Sequence, residues 1–177
     1  MTVSFRPMRG IDAMTIERQP SQRVQLGLDR VMTIEMANDL AQGGEAWTAW
    51  RGTTPVACVG LRETFSHPTS GRGVQAVAWA ILSLGLGSDH LAITRFTRRR
   101  IAASIYRRIE AICIAAIDAE AILSSFPGLD PAQLLEAVLC RKGPQVRWAE
   151  ALGLTPTYVL RHFGAASETH ILCERIA

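Results

Sequence analysis

The chain has 177 residues, of which 48% are hydrophobic and 20% charged, and its formal net charge is +3. This composition excludes a disordered chain and predicts a single folded domain over residues 1–177. So small a net charge gives no argument for nucleic acid binding. No signal peptide opens the sequence and no apolar run is long enough to span a bilayer, so we expect it in the cytoplasm or in a particle assembled there.

The four cysteines predict free thiols and no metal site. Cys58, Cys113, Cys140 and Cys173 stand apart in apolar surroundings, and none belongs to a CxxC pair. A zinc site needs closer ligand spacing and more histidine nearby. We therefore expect buried thiols in a reducing compartment.

The first third of the chain predicts strands and short helices in the order βααββ. Thr33 is a candidate N-cap, and glycines 43 and 44 stop the helix that it begins. Two alternating runs flank the turn at 51–54 and predict a β-hairpin. The segments are a strand at 2–8, helices at 11–17 and 33–41, the hairpin, and a loop at 65–73.

The run at 74–84 is apolar enough for a strand buried on both faces. Gly85 and Gly87 follow it and permit a tight turn, and Ser88 and Asp89 offer N-cap side chains to the next helix. A helix N-terminus after a glycine-rich turn suits a phosphate group, because free amides and the helix dipole converge there. An ordinary strand-to-helix connection is the alternative interpretation.

An arginine-rich helix comes next, and its arginines cannot share one face, so a solvated surface is expected for part of them. The run at 107–117 is compatible with continued helix or with a buried strand. We predict the strand, because a strand at 108–115 parallel to the one at 74–84 completes a right-handed crossover of ordinary length.

Residues 118–143 form an extra segment with a helix at 132–140, capped by Asp130 and Pro131. Its apolar stripe either packs on the sheet or docks on a partner chain, and we expect docking. The stripe consists of Leu134, Leu135, Val138 and Leu139. A helix at 144–152, stopped by Gly153, and strands at 157–163 and 169–176 complete the chain.

This element order resembles the GNAT acetyltransferase superfamily. VRWAEALGL at 146–154 is similar to the family's fourth helix and its leucine-glycine ending. The resemblance implies an α/β fold with a mixed sheet, a C-terminal hairpin and an inserted helical segment at 118–143. Within the superfamily, the chain most resembles GNAT-like internal virion and tail-region proteins of tailed bacteriophages, through EMANDLAQGGEAWTAW, PVACVGLRE, LAITR, YRRIEA and RWAEALG.

The resemblance also implies where acetyl-CoA would lie. In the family, the cofactor sits between the fourth and fifth strands, and its pyrophosphate is held by an Arg/Gln-x-x-Gly-x-Gly/Ala loop. Here the loop reads LGLGSDHLA, with glycines but no Arg or Gln three residues before the first of them. Asp89 adds a carboxylate, which a cation such as Arg95 must offset. The implied cofactor residues are Gly85, Gly87, Ser88, His90 and Arg95.

The catalytic side chains depart from the family pattern. Active relatives often carry a tyrosine on the fourth helix that protonates the departing thiolate, and here Trp148 and Ala149 occupy the aromatic and tyrosine positions. Alanine cannot donate a proton. Glu63 is the leading candidate for a general base and His67 the second.

From these departures we expect a GNAT-fold virion or assembly component that acts as a protein-binding scaffold with little or no acetyl transfer. Its partners would be other virion or assembly proteins, without membrane or nucleic acid, and no cofactor is expected. The alternative is an acetyl-CoA-dependent N-acetyltransferase acting on a small amine or a protein.

Overall fold

The structure is a computed structural model that describes residues 3–19, 22, 32–66, 73–164 and 166–177. Within these residues, seven strands form one sheet in the order β1-β2-β3-β4-β5-β7-β6. The strands are β1 Val3–Pro7, β2 Gly44–Arg51, β3 Thr54–Ser66, β4 Gly73–Leu82, β5 Arg108–Ile114, β6 Thr155–Phe163 and β7 Glu168–Ile176. The described helices are α1 Gly10–Thr15, α2 Ile34–Gln42, α3 Asp89–Ala103, α4 Ala119–Ser125, α5 Pro131–Leu139 and α6 Pro144–Ala151.

The predicted parallel pair of strands joined by the arginine-rich helix is confirmed. β4 and β5 are parallel and α3 joins them, whereas every other neighbouring pair of strands is antiparallel. α3 ends at Ala103, where Ser104 takes an extended conformation, so the run at 107–117 is strand and not continued helix. The buried Ile109 and Cys113 alternate with more exposed neighbours, which is the period of a strand.

The core lies on both faces of the sheet. On one face, Ala13 of α1 and Ala37 of α2 pack with Cys58 and Ile81 of the strands. On the other face α3 covers the first half of the sheet, where Ile93 packs among strand residues. There α5 and α6 cover β5, β6 and β7, and the buried residues include Leu134, Val138, Val146, Ala149, Ile109 and Ile171.

Two predictions about single segments need correction, and one helix was not predicted. β3 continues through Ser66, so the predicted loop at 65–73 begins later, and its residues 67–72 lie outside the described residues. The sequence did not predict α4, whose N-cap Asp118 accepts a hydrogen bond from the Glu120 amide. Cys140, predicted to be buried, is exposed at the end of α5, whereas Cys58, Cys113 and Cys173 are buried.

Among the described residues, no helix combines the length and the apolar character needed to cross a bilayer.

Candidate active site

The strands β4 and β5 diverge after a short paired stretch and leave an opening in the sheet. They pair only at Gln75 with Arg108, Ala76 with Ile109 and Val77 with Glu110. β4 nevertheless continues to Leu82 and β5 to Ile114, so the opening widens toward their carboxyl ends. The side chains that flank it on the α3 face are small: Ala78 and Ala80 from β4 and Ala111 from β5. The facing strand edges therefore offer backbone groups to a ligand of narrow cross-section.

The corner between β4 and α3 is a tight turn. The first backbone amides of α3 already donate hydrogen bonds within it. Gly87 has a φ of +51°, which favours glycine at this position. The amides of Asp89, His90 and Leu91 donate to the carbonyls three residues earlier, at 3.0, 3.3 and 3.3 Å. Ser88 occupies the N-cap position but makes no side-chain capping bond, which corrects the predicted cap.

Arg51 contacts this corner through three hydrogen bonds, a role that the sequence did not predict. Its Nε donates to Asp89 Oδ2 at 2.6 Å, and its Nη2 donates to the carbonyls of Gly85 and Leu86 at 2.8 and 3.1 Å. Asp89 therefore caps nothing and forms an ion pair with Arg51 at 2.5 Å, with its side chain 9% exposed. The sequence suggested Arg95 as the cation beside Asp89. Arg95 is exposed and has no ion-pair partner among the described residues.

The closed end of the opening carries Glu63 and Tyr106. Glu63 is in register with Ala76, one residue before the last paired position of β4 and β5. The Tyr106 hydroxyl donates a long hydrogen bond of 3.5 Å to Glu63 Oε2. Burial, followed by the negative charge of Glu63, raises the pKa of Tyr106, so the hydroxyl stays protonated at neutral pH. The second predicted base, His67, lies outside the described residues.

The predicted catalytic and cofactor residues lie at opposite ends of the opening. Glu63 faces Ala76, whereas Gly85, Gly87 and Ser88 follow the end of β4 at Leu82. Six residues of extended strand separate Ala76 from Leu82, which is roughly 20 Å at the usual rise per residue.

Trp148 of α6 connects this helix to the first turns of α3. Its Nε1 donates to Thr94 Oγ1 at 2.8 Å, and its ring centroid lies 5.6 Å from that of His90. It packs against both core clusters on the α3 face, so it lies where the two halves of the core meet. Ala149, at the position of the family's tyrosine, is buried and has no polar side-chain group.

The solved structures that share this architecture include acetyltransferases. Ard1 from Thermoplasma volcanium aligns with a TM-score of 0.64 at 12% identity, over 100% of this chain and 99% of that one. An acetyltransferase of the GNAT family from Bacillus anthracis aligns at 0.57 and 9% identity, over 99% and 95% of the two chains. YncA from Salmonella typhimurium, solved with its cofactor acetyl-CoA, aligns at 0.59 and 13% identity, over 99% and 94%.

The chain has the GNAT fold, a mixed α/β architecture around a seven-stranded sheet. No protein-family model and no curated protein matches the sequence itself. The structural neighbours give no support for a relationship specific to bacteriophage proteins.

Proposed function

We propose that this chain is an acetyl-CoA-dependent N-acetyltransferase that acts on an amine. The observation that carries the proposal is the opening between β4 and β5, with alanines on its α3 face and a tight turn at its wide end. The fold is shared with acetyltransferases, one of which is solved with acetyl-CoA, and this supports the same chemistry by analogy.

The residues present fit acetyl-CoA along most of its length. The narrow pantetheine arm suits an opening flanked by Ala78, Ala80 and Ala111, because larger side chains would fill it. At the wide end, Arg51 supplies a cation for phosphate groups, and its side chain is 36% exposed. Asp89 offsets that charge, so we expect the corner to bind phosphate more weakly than one without a carboxylate.

Acetyl transfer requires two proton movements that this chain can serve. Acetyl-CoA supplies an activated acetyl group as a thioester. The amine must lose a proton as its nitrogen forms the new bond to the carbonyl carbon, and the sulfur must gain one as the carbon–sulfur bond breaks. Glu63 is a carboxylate at the closed end of the opening, and the Tyr106 hydroxyl beside it is protonated. We assign the base role to Glu63 and the donor role to Tyr106.

The test combines an acetyl-CoA titration by calorimetry with a transfer assay on a panel of primary amines. We expect binding, and a loss of turnover of about 100-fold or more in Glu63→Gln and Tyr106→Phe, with acetyl-CoA affinity retained. The chain has two tyrosines, and Tyr158 on β6 is 52% exposed, so Tyr158→Phe is the matched control. No binding at millimolar acetyl-CoA would refute the proposal.

A protein-binding role in a larger assembly, such as a virion, is the second candidate. It rests on an open groove of about 490 Å³ along α5, lined in part by Leu135 and Leu139. The other two members of the predicted stripe, Leu134 and Val138, are buried in the core of this chain. Only the half-buried pair is therefore accessible to a partner.

Leu135→Asp with Leu139→Asp tests this second role. If the groove binds a partner, the double variant keeps its thermal stability and acetyl-CoA affinity but no longer assembles with the proteins encoded beside it. A variant that unfolds by itself would place both leucines in the core and exclude the role.

A further inference from the structure

The edge of β4 that faces the wide end of the opening carries backbone groups that β5 does not bond. The Ser83 amide donates to the Val56 carbonyl of β3 at 3.0 Å. Because the backbone groups of successive strand residues alternate between the two edges, those of Leu82 and Ala80 point away from β3 and into the opening. Within the described residues, β5 pairs with β4 only at the opposite end of the strand, so these groups need another partner.

Gln22 is that partner, through its side-chain amide. Its Oε1 accepts from the Leu82 amide at 2.8 Å, and its Nε2 donates to the Ala80 carbonyl at 3.1 Å. One amide group that bonds an N–H and a carbonyl two residues apart reproduces the pairing of a parallel neighbouring strand. Gln22 is 9% exposed, so both bonds are sheltered from water. The side chain of Gln22 therefore occupies the place of a strand at this edge.

The chain just before Gln22 is held against the end of β4 by backbone bonds. The Gln19 amide donates to the Leu82 carbonyl at 3.2 Å, and Arg18 forms an antiparallel bridge with Ser83. The Gln22 amide donates to the Gln19 carbonyl at 2.9 Å, which fixes its position relative to this attachment. Gln22 is thus placed at the opening by the fold and not by its side chain alone.

A second glutamine bonds the opposite edge of the opening. The Ala115 amide donates to the Thr169 carbonyl of β7 at 2.9 Å, so the amide of the preceding residue, Ile114, points away from β7 and toward the opening. Gln145 of α6 accepts from the Ile114 amide through Oε1 at 2.9 Å. Carboxamide oxygens therefore accept from the backbone of both strands at the wide end.

We infer that Gln22 makes an autoinhibitory contact, and that its carboxamide must leave Ala80 and Leu82 before acetyl-CoA can enter the opening. The inference rests on the proposed function, since it concerns how the cofactor reaches that site. The pantetheine arm of acetyl-CoA contains two amide groups, each with one N–H donor and one carbonyl acceptor. An arm that lies along β4 needs the same Leu82 amide and Ala80 carbonyl that Gln22 holds, so the arm and Gln22 compete.

This competition lowers the affinity for the cofactor without abolishing it. The Gln22 amide and an amide of the arm offer equivalent neutral hydrogen bonds, so their exchange yields no net bond at this edge. The apparent affinity is reduced by the fraction of molecules in which Gln22 has left β4. Without the Gln22 amide, the two backbone groups have no partner in the free protein, and the bound arm satisfies both.

The experiment measures by calorimetry the affinity of the full chain for acetyl-CoA and for pantetheine, which is the arm without the nucleotide. We expect Gln22→Ala to bind both ligands about 10-fold more tightly than the wild type, since two competing neutral hydrogen bonds are removed. In the transfer assay, the same variant should lower KM for acetyl-CoA and retain kcat.

Gln19→Ala is the matched control, because Gln19 Nε2 donates to the Ser83 carbonyl at 3.2 Å, beyond the end of β4. This variant should bind both ligands as the wild type does. If Gln22→Ala does not fold by circular dichroism, Gln22→Met carries the test. Methionine keeps the length of the side chain without its amide, and we expect a gain in affinity in the same direction.

Hydrogen exchange tests the contact without any cofactor. The Leu82 amide should exchange at least ~10-fold faster in Gln22→Ala than in the wild type, because the Gln22 carboxamide is its acceptor. The Ser83 amide, which bonds to β3, should keep its protection in both proteins. Equal exchange rates of the Leu82 amide in the two proteins would overturn the inference.

The outcomes separate this inference from the proposed function. Acetyl-CoA affinity that is equal in the wild type and Gln22→Ala, or weaker in the variant, would overturn the inference while the acetyltransferase stands. Tighter pantetheine binding by Gln22→Ala, without acetyl transfer to any amine by either protein, would support the inference and refute the transfer reaction. Absence of binding of both ligands to both proteins would overturn both.

Discussion

Gly60 of β3 lies against an indole ring that leaves no room for a side chain. A Cβ at this position would stand 2.6 Å from Trp79 Cζ2 and 2.7 Å from the Glu45 carbonyl oxygen. We expect Gly60→Ala to lower the free energy of unfolding by about 1–3 kcal/mol, because the ring or the strand must shift. Gly85→Ala is the control, since nothing lies within 4 Å of its Cβ, and urea denaturation of both variants is the measurement.

Cys58 should make stability depend on alkaline pH. Its thiol is fully buried in β3, and burial raises its pKa from 9.0 to about 12. Because the folded pKa lies above the unfolded one, the thiol's contribution is complete below pH 9 and is lost as the pH rises toward 12. The loss is about 1.4 kcal/mol per pH unit within that window.

The measurement compares urea denaturation of the wild type and Cys58→Ala between pH 7 and pH 10.5. The variant starts less stable because it leaves a cavity, but its stability should fall less steeply above pH 9. Parallel curves for the two proteins would mean that the buried thiol ionises without cost.

At the scale of elements, the pair of Arg51 and Asp89 joins the β2–β3 hairpin to the start of α3. Asp89 is nearly buried, so removal of its partner leaves a carboxylate without compensation. We expect Arg51→Gln to cost about 1–3 kcal/mol. The comparable pair of Arg62 and Asp39 is about half exposed on both sides, and Arg62→Gln should cost less than about 1 kcal/mol.

Thermal unfolding of the two arginine variants and of Arg51→Gln with Asp89→Asn is the measurement. The double variant should recover part of the lost stability, because Asp89→Asn removes the buried charge that has no partner. Equal effects of Arg51→Gln and Arg62→Gln would show that the corner contributes no more than a surface ion pair.

The elements that sequence reasoning predicted correctly are those that local chemistry specifies. Thr33 accepts a hydrogen bond from the Met36 amide and begins α2, and Gly153, with a φ of +92°, ends α6. The strand β5 was predicted from its apolar content and from the handedness of the crossover. The caps are signalled by residues next to the helix ends, whereas β5 also required the order of the elements before it.

The features that sequence reasoning missed depend on residues far apart in the chain. Ser88 and Asp89 were predicted as helix caps. The Asp89 carboxylate instead accepts a hydrogen bond from Arg51, 38 residues earlier in the chain. Asp118 begins α4 while it also accepts from Thr169 Oγ1, a residue of β7. The residue pattern of a single segment does not predict partners that lie far away in the chain.

At the scale of the whole molecule, the candidate site was predicted in part. The sequence located the turn after β4 and named Glu63, which the fold brings to the two ends of one opening. It did not indicate that Tyr106 would reach Glu63, because Tyr106 precedes β5 by two residues and sits beside β3 only through the crossover.

The short pairing of β4 with β5 also divides the chain into two pieces that could exist as separate polypeptides. Within the described residues, the strand pairing between β1–β4 and β5–β7 consists of three register pairs of β4 with β5. Most of the remaining attachment is apolar, since Leu61, Ala76 and Ile101 pack with the second system. The link between α3 and β5 is accessible, with Ile105 66% exposed. Residues 1–103 and 104–177, co-expressed as two chains, should therefore reassemble into one particle, and native mass spectrometry would show their one-to-one complex. Ile101→Asp should abolish the complementation, whereas Ile105→Asp should leave it intact.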